Sequence, residues 1–284
     1  MIFNQLVDEV LNLAIIEDIG TGDITSQILV SENLNVHAEI ICKEDMILAG
    51  MPFVKRFFSI LADYFSSSDI YIEEHCKDGD FIEKGKVVAS LTGNAMFLLA
   101  GERIALNILQ RLSGIATLTK QFIEKIEGIP VKILDTRKTT PGLRFMEKYA
   151  VKTGGGYNHR FALYDAILIK DNHIKIAGSV KESVLKAKNS AVYQKIEVEV
   201  KNFEELEEAI SANADIVMLD NMDIESMKKA VRIAKGRVLL EASGGVSLEN
   251  VRDVALTGVD FISVGCLTHS AKAVDISMKI RKVI

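Results

Sequence analysis

The chain of 284 residues has no tryptophan, three prolines and three cysteines, and aromatic residues make up only 6% of it. Cys42, Cys76 and Cys266 are odd in number and far apart. They offer neither metal-ligand spacing nor a disulfide framework, which suits a reducing cytoplasm. The purest apolar run, Ala95 to Ala100, is far shorter than the roughly 20 residues of a membrane span. Residues Met1 to Glu9 contain no basic segment and reach an acid by Asp8, so no signal peptide is expected there. The formal net charge is −5, and no basic stripe is interleaved with aromatics. Nucleic acid is therefore disfavoured as a partner. What remains is an ordinary globular composition, 48% hydrophobic and 26% charged, with room for one barrel and a smaller domain.

Charge is not spread evenly. Between Val131 and Lys175 nine Lys and Arg residues face four acids, a local +5 inside an acidic chain. A basic island of this kind suggests capture of a small, highly charged anion. It holds three runs: Asp135-Thr136-Arg137-Lys138-Thr139-Thr140-Pro141-Gly142, Gly154-Gly155-Gly156-Tyr157-Asn158-His159-Arg160 and Leu168-Ile169-Lys170-Asp171-Asn172-His173.

Residues 195–265 alternate between strand and helix. Strands are expected at 195–200, 215–220, 237–243 and 259–264, with helices at 202–210 and 224–234. Asn202 is a possible N-cap, and Ser247 heads a further helix that stops at Gly258. The acids Glu199, Asp220 and Glu241 recur every 21 residues, the length of one strand, one helix and two short loops. The runs 131–134 and 166–169 read as two more strands of the same apolar kind. Six strands of a parallel sheet covered on both faces follow. In such barrels, catalytic groups sit at the carboxyl ends of strands. Arg137, Lys138, Lys170, Glu199, Asp220, Ser243 and Gly265 all fall there.

The first hundred residues differ. Ile2, Phe3, Leu6, Val7, Val10, Leu11 and Ala14 make one helical face, and short strands are expected at 37–42, 69–75 and 87–91. The glycines at 79, 85 and 93 allow a carrier-domain reading, but plain turn chemistry is favoured because no modifiable lysine sits in the usual hairpin. A helix runs from Asn94 through Arg111, and the tail from Ala271 reads as helical.

Ser243-Gly244-Gly245 and Val264-Gly265-Cys266 each follow a late strand, where backbone N–H groups can approach a phosphate. Arg103, Arg137, His159 and Arg160 are candidates for gripping carboxylates, since a guanidinium matches a carboxylate with two hydrogen bonds. Glu199 and Asp220 could hold ribose hydroxyls or a hydrated Mg²⁺, or merely cap the next helices. Glu241 lies inside its strand and is the weaker candidate. Lys170 at a strand end admits an aldolase-like Schiff base as the competing chemistry. The surrounding positive charge exceeds what that reaction needs. No pair of histidines, His173 and His269 included, has zinc spacing.

Over essentially its whole length the chain resembles the quinolinate phosphoribosyltransferase family. The matching runs are Glu17-Asp18-Ile19-Gly20-Thr21-Gly22-Asp23, Glu102-Arg103 through Thr117, the basic island, Leu219-Asp220-Asn221-Met222, Glu241-Ala242-Ser243-Gly244-Gly245 and Gly265 through Ser270. The resemblance implies an N-terminal α/β sandwich over 1–112 and a C-terminal incomplete parallel α/β barrel over 113–271, of the type II phosphoribosyltransferase kind. The tail 272–284, by its own pattern, could pack on either domain, the sandwich included. It implies a cytoplasmic homodimer with shared active sites, higher oligomers left open, no membrane, and Mg²⁺ as cofactor. Quinolinate would meet Arg137, His159 and Arg160, with Arg103 from the partner. Thr136, Lys138, Lys170, Glu199 and Asp220 would surround phosphoribosyl pyrophosphate, the two acids with its Mg²⁺. Ser243, Gly244, Gly245, Val264, Gly265 and Cys266 would hold the 5-phosphate. The implied reaction gives nicotinate mononucleotide, pyrophosphate and CO₂ in NAD biosynthesis. Cys266 departs from the alanine common there, and Phe161-Ala162 follows Arg160. A non-catalytic phosphate-sensing relative is the alternative of another class, and it would need the phosphate loops without Arg103, Arg137 and Arg160 together.

Overall fold

The computed structural model describes residues 2–65, 70–191 and 193–284, without the side chains of 2–4, 64 and 65. Ile2 and Phe3, expected on the first helical face, have side chains outside the described set, and Asp69 lies outside it altogether.

Two compact units divide the chain. The first holds the described residues through Lys120, with Thr139–Gly155 and Ser270–Ile284; the second holds Gln121–Lys138 and Gly156–His269. In order, the elements up to the end of the long helix are α1 (Ile2–Asp18), α2 (Ile24–Leu29), β1 (Asn35–Cys42), β2 (Met46–Ile47), α3 (Met51–Phe65), β3 (Tyr71–Glu74), β4 (Phe81–Ile82), β5 (Val87–Asn94) and α4 (Ala95–Lys125). Then come β6 (Lys132–Leu134), α5 (Arg144–Thr153), β7 (Ile167–Ile169), α6 (Asp171–Ala177), α7 (Val180–Ser190) and β8 (Ile196–Val200). The chain ends with α8 (Phe203–Ser211), β9 (Ile216–Asp220), α9 (Ile224–Ala234), β10 (Leu239–Ser243), α10 (Val251–Ala255), β11 (Phe261–Ser263), α11 (Cys266–His269) and β12 (Ile276–Val283).

The first unit is built on an antiparallel sheet in the order β12-β1-β5-β3. Its centre is apolar because alternate residues of β1, namely Val36, Ala38 and Ile40, point into the core. On α1 the face that packs is Val7, Leu11 and Ile15, whereas Leu6 is exposed. The tail is a strand, not the expected helix, with Ile276 and Met278 buried and paired to Cys42 and Ile40. Its sequence Ile-Ser-Met-Lys-Ile-Arg alternates with period two, and β1 offers it an open edge. Beside the sheet, Arg111 of α4 forks onto the fully buried Glu147 of α5, with its Nη2 at 2.8 Å.

The second unit is a six-stranded parallel sheet in the order β6-β11-β10-β9-β8-β7, whose edges are β6 and β7. All six expected strands are present. Their middles carry fully buried Val198, Val217 and Ala242, and the helices between them have polar starts. Asn202 caps α8 by accepting Glu205 N–H at 2.8 Å, and Asp223 caps α9 through Ser226 N–H at 2.7 Å. The helix expected after Ser247 begins only at Val251. Asn250 accepts the Ser247 N–H at 2.9 Å and donates to the Gly245 carbonyl at 2.9 Å, holding the preceding residues in a turn. No described helix is long and apolar enough to cross a membrane.

Candidate anion-binding site at the carboxyl edge of the parallel sheet

Because the six strands are parallel, their carboxyl ends share one edge. Lys138 lies beyond β6, Lys170 directly follows β7, Glu199 sits near the end of β8, Asp220 and Ser243 end β9 and β10, and Gly265 follows β11. Residues spread over more than a hundred positions therefore meet at one rim. The basic island is shared between the units: Arg144, Lys148 and Lys152 belong to α5 of the first, and within the second Lys132 lies over the Tyr157 ring, 5.0 Å from its centroid. Arg103 is exposed on α4 and also belongs to the first unit.

A cleft of about 250 Å³ opens between the ends of β10, β11 and β6. Thr136, Lys138, Ser243, Gly245, Gly265 and His269 are among the residues lining it. Two glycines shape it. Gly244 adopts φ +95°, and a Cβ there would collide with the Asn221 amide; Asn221 itself donates its backbone N–H to the Ser243 carbonyl at 2.9 Å. At Gly265 a Cβ would press on Lys138 Cδ and the His269 ring. The Thr268 hydroxyl donates to the Lys138 carbonyl at 2.8 Å and ties that lysine's backbone to the β11 loop. Cys266 is half-buried, and burial pushes its thiol up, so it lines the cleft as a neutral group. Val264 is buried beneath. The first unit has its own cavity of about 300 Å³, but Val10, Leu11, Ile104 and Leu112 make it mainly apolar. The cleft of the second unit, by contrast, combines glycines with the Lys138 cation, groups that suit a phosphate.

Next to it lies the guanidinium pair. Tyr157 runs beside β6 as a one-residue bridge, its N–H donating to Ile133 O at 2.9 Å and its carbonyl accepting from Asp135 N at 3.0 Å. Fully buried Asp135 then accepts the His159 N–H at 2.9 Å. In this way the run after the three glycines is held against the run that carries Arg137. The Arg160 Nη1 donates to Ala166 O at 2.9 Å. The Nε atoms of both Arg137 and Arg160 are buried without a hydrogen-bond partner. Burial, and then the Arg137 charge beside it, lower the pKa of Arg160. Two cations held close, each with a buried Nε that has no hydrogen-bond partner, have the chemistry to receive carboxylates.

Opposite the cations stand acids at two depths. Residues 197 and 199 alternate along β8 and face the same side. Glu199, nearer the rim, lies 3.5 Å from Lys170 Nζ. Burial pushes its carboxyl up, Lys170 opposes this, and Asp220 adds to it. Neither rim acid caps a helix, since Asn202 and Asp223 do that work; Asp220 instead accepts from the Asn221 side chain at 3.0 Å. One layer down, Glu197 and Glu241 are 5% and 1% exposed and converge on His159 Nε2, at 3.0 and 3.6 Å. Burial first, and the Glu197 carboxylate second, push the Glu241 carboxyl up to about 8. His159, Glu197 and Glu241 form a compact trio. Glu241 is a weak candidate from its place inside a strand, and motif spacing alone gives Glu197 and Asp135 no role in the site. The signals were there: the two-residue step from Glu199, and the 21-residue period.

A six-stranded parallel α/β sheet with a glycine-shaped cleft and buried arginines at its carboxyl edge defines an α/β protein whose groups suit anions. Residues 23–113 match the family described as quinolinate phosphoribosyl transferase, N-terminal domain, and residues 115–279 match its C-terminal domain. The chain is similar to a probable nicotinate-nucleotide pyrophosphorylase [carboxylating] of Bacillus subtilis (strain 168), at 48% identity over 96% of this chain and 92% of that one. It is also similar to the chloroplastic nicotinate-nucleotide pyrophosphorylase [carboxylating] of Arabidopsis thaliana, at 41% identity over 95% of this chain and 82% of that one. Among solved structures, the nicotinate-nucleotide pyrophosphorylase from Francisella tularensis superposes with a TM-score of 0.92 at 42% identity, covering 98% of this chain and 97% of that one. The chain belongs to the quinolinate phosphoribosyl transferase family.

Proposed function

We infer that this protein is a quinolinate phosphoribosyltransferase of NAD biosynthesis, converting quinolinate and phosphoribosyl pyrophosphate into nicotinate mononucleotide, pyrophosphate and CO₂. The observation that carries this reading is the half-bonded pair Arg137 and Arg160 beside the 243–245 and 264–266 cleft. One site receives a dicarboxylate and the other a phosphate. The pair clamps the two carboxylates and aims the pyridine nitrogen at C1 of the ribose, while Lys138 and the two loops hold the 5-phosphate. The nitrogen attacks as pyrophosphate leaves, and catalysis is largely positioning and charge stabilisation. The ring becomes cationic on N-ribosylation, which stabilises the carbanion left when the adjacent carboxylate departs as CO₂.

Glu199 and Asp220 suit a hard cation: two carboxylates at neighbouring strand ends, where burial and then the Asp220 charge push the Glu199 carboxyl up while Lys170 opposes them. They would hold Mg²⁺, directly or through water, and the ion would neutralise charge on the pyrophosphate. Thr136 and Lys170 complete the rim around the sugar. A Schiff base at Lys170 is not favoured, because that amine faces Glu199 and the pocket is built for anions. We place the enzyme in the cytoplasm as a homodimer in which exposed Arg103 completes the partner's pocket.

Purified protein supplied with Mg²⁺, quinolinate and phosphoribosyl pyrophosphate should release nicotinate mononucleotide and CO₂ in equal amounts. Nicotinic acid, with one carboxylate, should react poorly; equal turnover of the two acids would sink the reading. Refolding Arg103→Ala and Lys138→Ala subunits together should restore roughly a quarter of the pockets, whereas verified mixed dimers without activity would return Arg103 to its own subunit.

A further inference from the structure

We propose that Glu197, backed by Glu241, is a positioning residue for the dicarboxylate pocket: it holds the His159 imidazole in its Nε2–H tautomer, and His159 in turn fixes Arg160. The inference deepens the function proposed above and rests on it. The Arg160 backbone N–H points at His159 Nδ1, 2.7 Å away. A ring nitrogen that faces an N–H must be an acceptor, so the imidazole proton sits on Nε2. That atom lies 3.0 Å from Glu197 Oε2, which accepts its proton, and 3.6 Å from Glu241 Oε2 behind it.

The imidazole is thus engaged by the protein at both nitrogens. It holds the Arg160 amide on one side and the carboxylates on the other, while Asp135 anchors the His159 backbone. Residues 135, 159, 160 and 197 form one hydrogen-bonded chain that ends at a substrate-facing guanidinium. On this geometry His159 acts through Arg160 rather than by touching quinolinate itself. The trio does not read as a cation site, because the neighbouring Arg137 and Arg160 repel a metal ion and a protonated Nε2 has no lone pair to give. The second oxygens of Glu197 and Glu241 are buried without a hydrogen-bond partner. A protein bears that cost where the groups serve a neighbour.

Five histidines make the tautomer directly readable by ¹⁵N–¹H long-range correlation on the intact, histidine-labelled enzyme. A His159→Gln sample assigns the signal. The expected free-enzyme state has Nε2 protonated and Nδ1 bare, and it should not change when quinolinate binds. An Nδ1–H tautomer, an imidazolium, or a ring signal that moves to imidazolium on quinolinate addition would overturn the proposal. Kinetics supply the second arm. Glu197→Ala should raise KM for quinolinate roughly tenfold and leave KM for phosphoribosyl pyrophosphate within about twofold, as expected when a supporting group lets a ligand drift. Glu197→Gln, which keeps an acceptor for Nε2–H, should recover most of the loss. Parallel rises in both KM values, or a Gln variant as poor as Ala, would also overturn it. The spectrum of the unliganded wild-type enzyme decides the tautomer even if a variant fails to fold. A wild-type enzyme inactive on quinolinate would strike the function instead, leaving the tautomer result untouched.

Discussion

Glu197 and Glu199 are the same residue type, two positions apart on one strand and facing the same side, yet they live in different chemistry. Glu199 stands at the rim opposite Lys170, 3.5 Å from its amine. Glu197 lies one layer down, buried against a histidine. Asp220 and Glu241 repeat the contrast on the next strands, Asp220 half-exposed and Glu241 sealed. Depth in a parallel sheet thus sets each carboxylate's neighbours: those at the strand ends meet a lysine and solvent, and those one pleat deeper meet a buried imidazole. The first unit carries the opposite lesson. Its buried acid Glu147 is fully bonded by Arg111 and Thr140, with nothing left over for a ligand.

The largest effects should fall on the cations that both layers serve. Arg137→Ala and Arg160→Ala should each lower kcat/KM for quinolinate a hundredfold or more, about 3 kcal/mol, because the remaining guanidinium then faces a dicarboxylate alone. Steady-state kinetics at saturating phosphoribosyl pyrophosphate would check this; a loss under tenfold would mean that the pocket grips its substrate elsewhere. Next come the rim acids. Glu199→Gln and Asp220→Asn should cost roughly tenfold or more in kcat with unchanged circular dichroism, and chelator should abolish turnover until Mg²⁺ is restored. Near-normal kinetics in both variants would erase the contrast with the deeper layer.

A smaller effect is expected at the phosphate cleft. Gly244→Ala forces a side chain onto φ +95° and into Asn221, so KM for phosphoribosyl pyrophosphate should rise several-fold to tenfold, in line with about 1 kcal/mol of strain. KM for quinolinate should stay put; if that constant moves instead, the cleft has been assigned to the wrong substrate. The smallest effect concerns stability in the deep layer. Glu241 has a folded pKa of about 8 against an ordinary 4.5, so the folded state holds the extra proton between these values. Its contribution is full below about pH 4.5 and is lost as pH rises toward 8. Urea unfolding at pH 5 and pH 8 should therefore show the wild type losing more stability than Glu241→Gln across that interval. Parallel losses would mean that Glu241 is charged throughout.

Much of the second unit was legible in the chain itself. All six strands followed from short apolar runs at the spacing of a βα repeat, and Asn202 from its place before an acidic helical start. The tail was misread because the helical pattern was preferred over a period of two, and only the open edge of β1 made the strand necessary. The start of α10 was missed because its placement hangs on Asn250 bonding backwards to Gly245 and Ser247.

What the sequence determined by itself is local: the order of strands and helices, the caps, the glycine loops and the set of residue types from which the site is drawn. Periodicity and turn chemistry act between near neighbours, so they can be read along the chain. Which groups meet was decided by the tertiary structure. Only the folded second unit brings the Arg137 charge to bear on Arg160, 23 positions further along the chain. Only it places Glu197 and Glu241, 44 positions apart, on one imidazole. Charge interactions weaken with distance and solvent, and both depend on where strands lie and how deep each residue sits; neither is written in spacing along the chain.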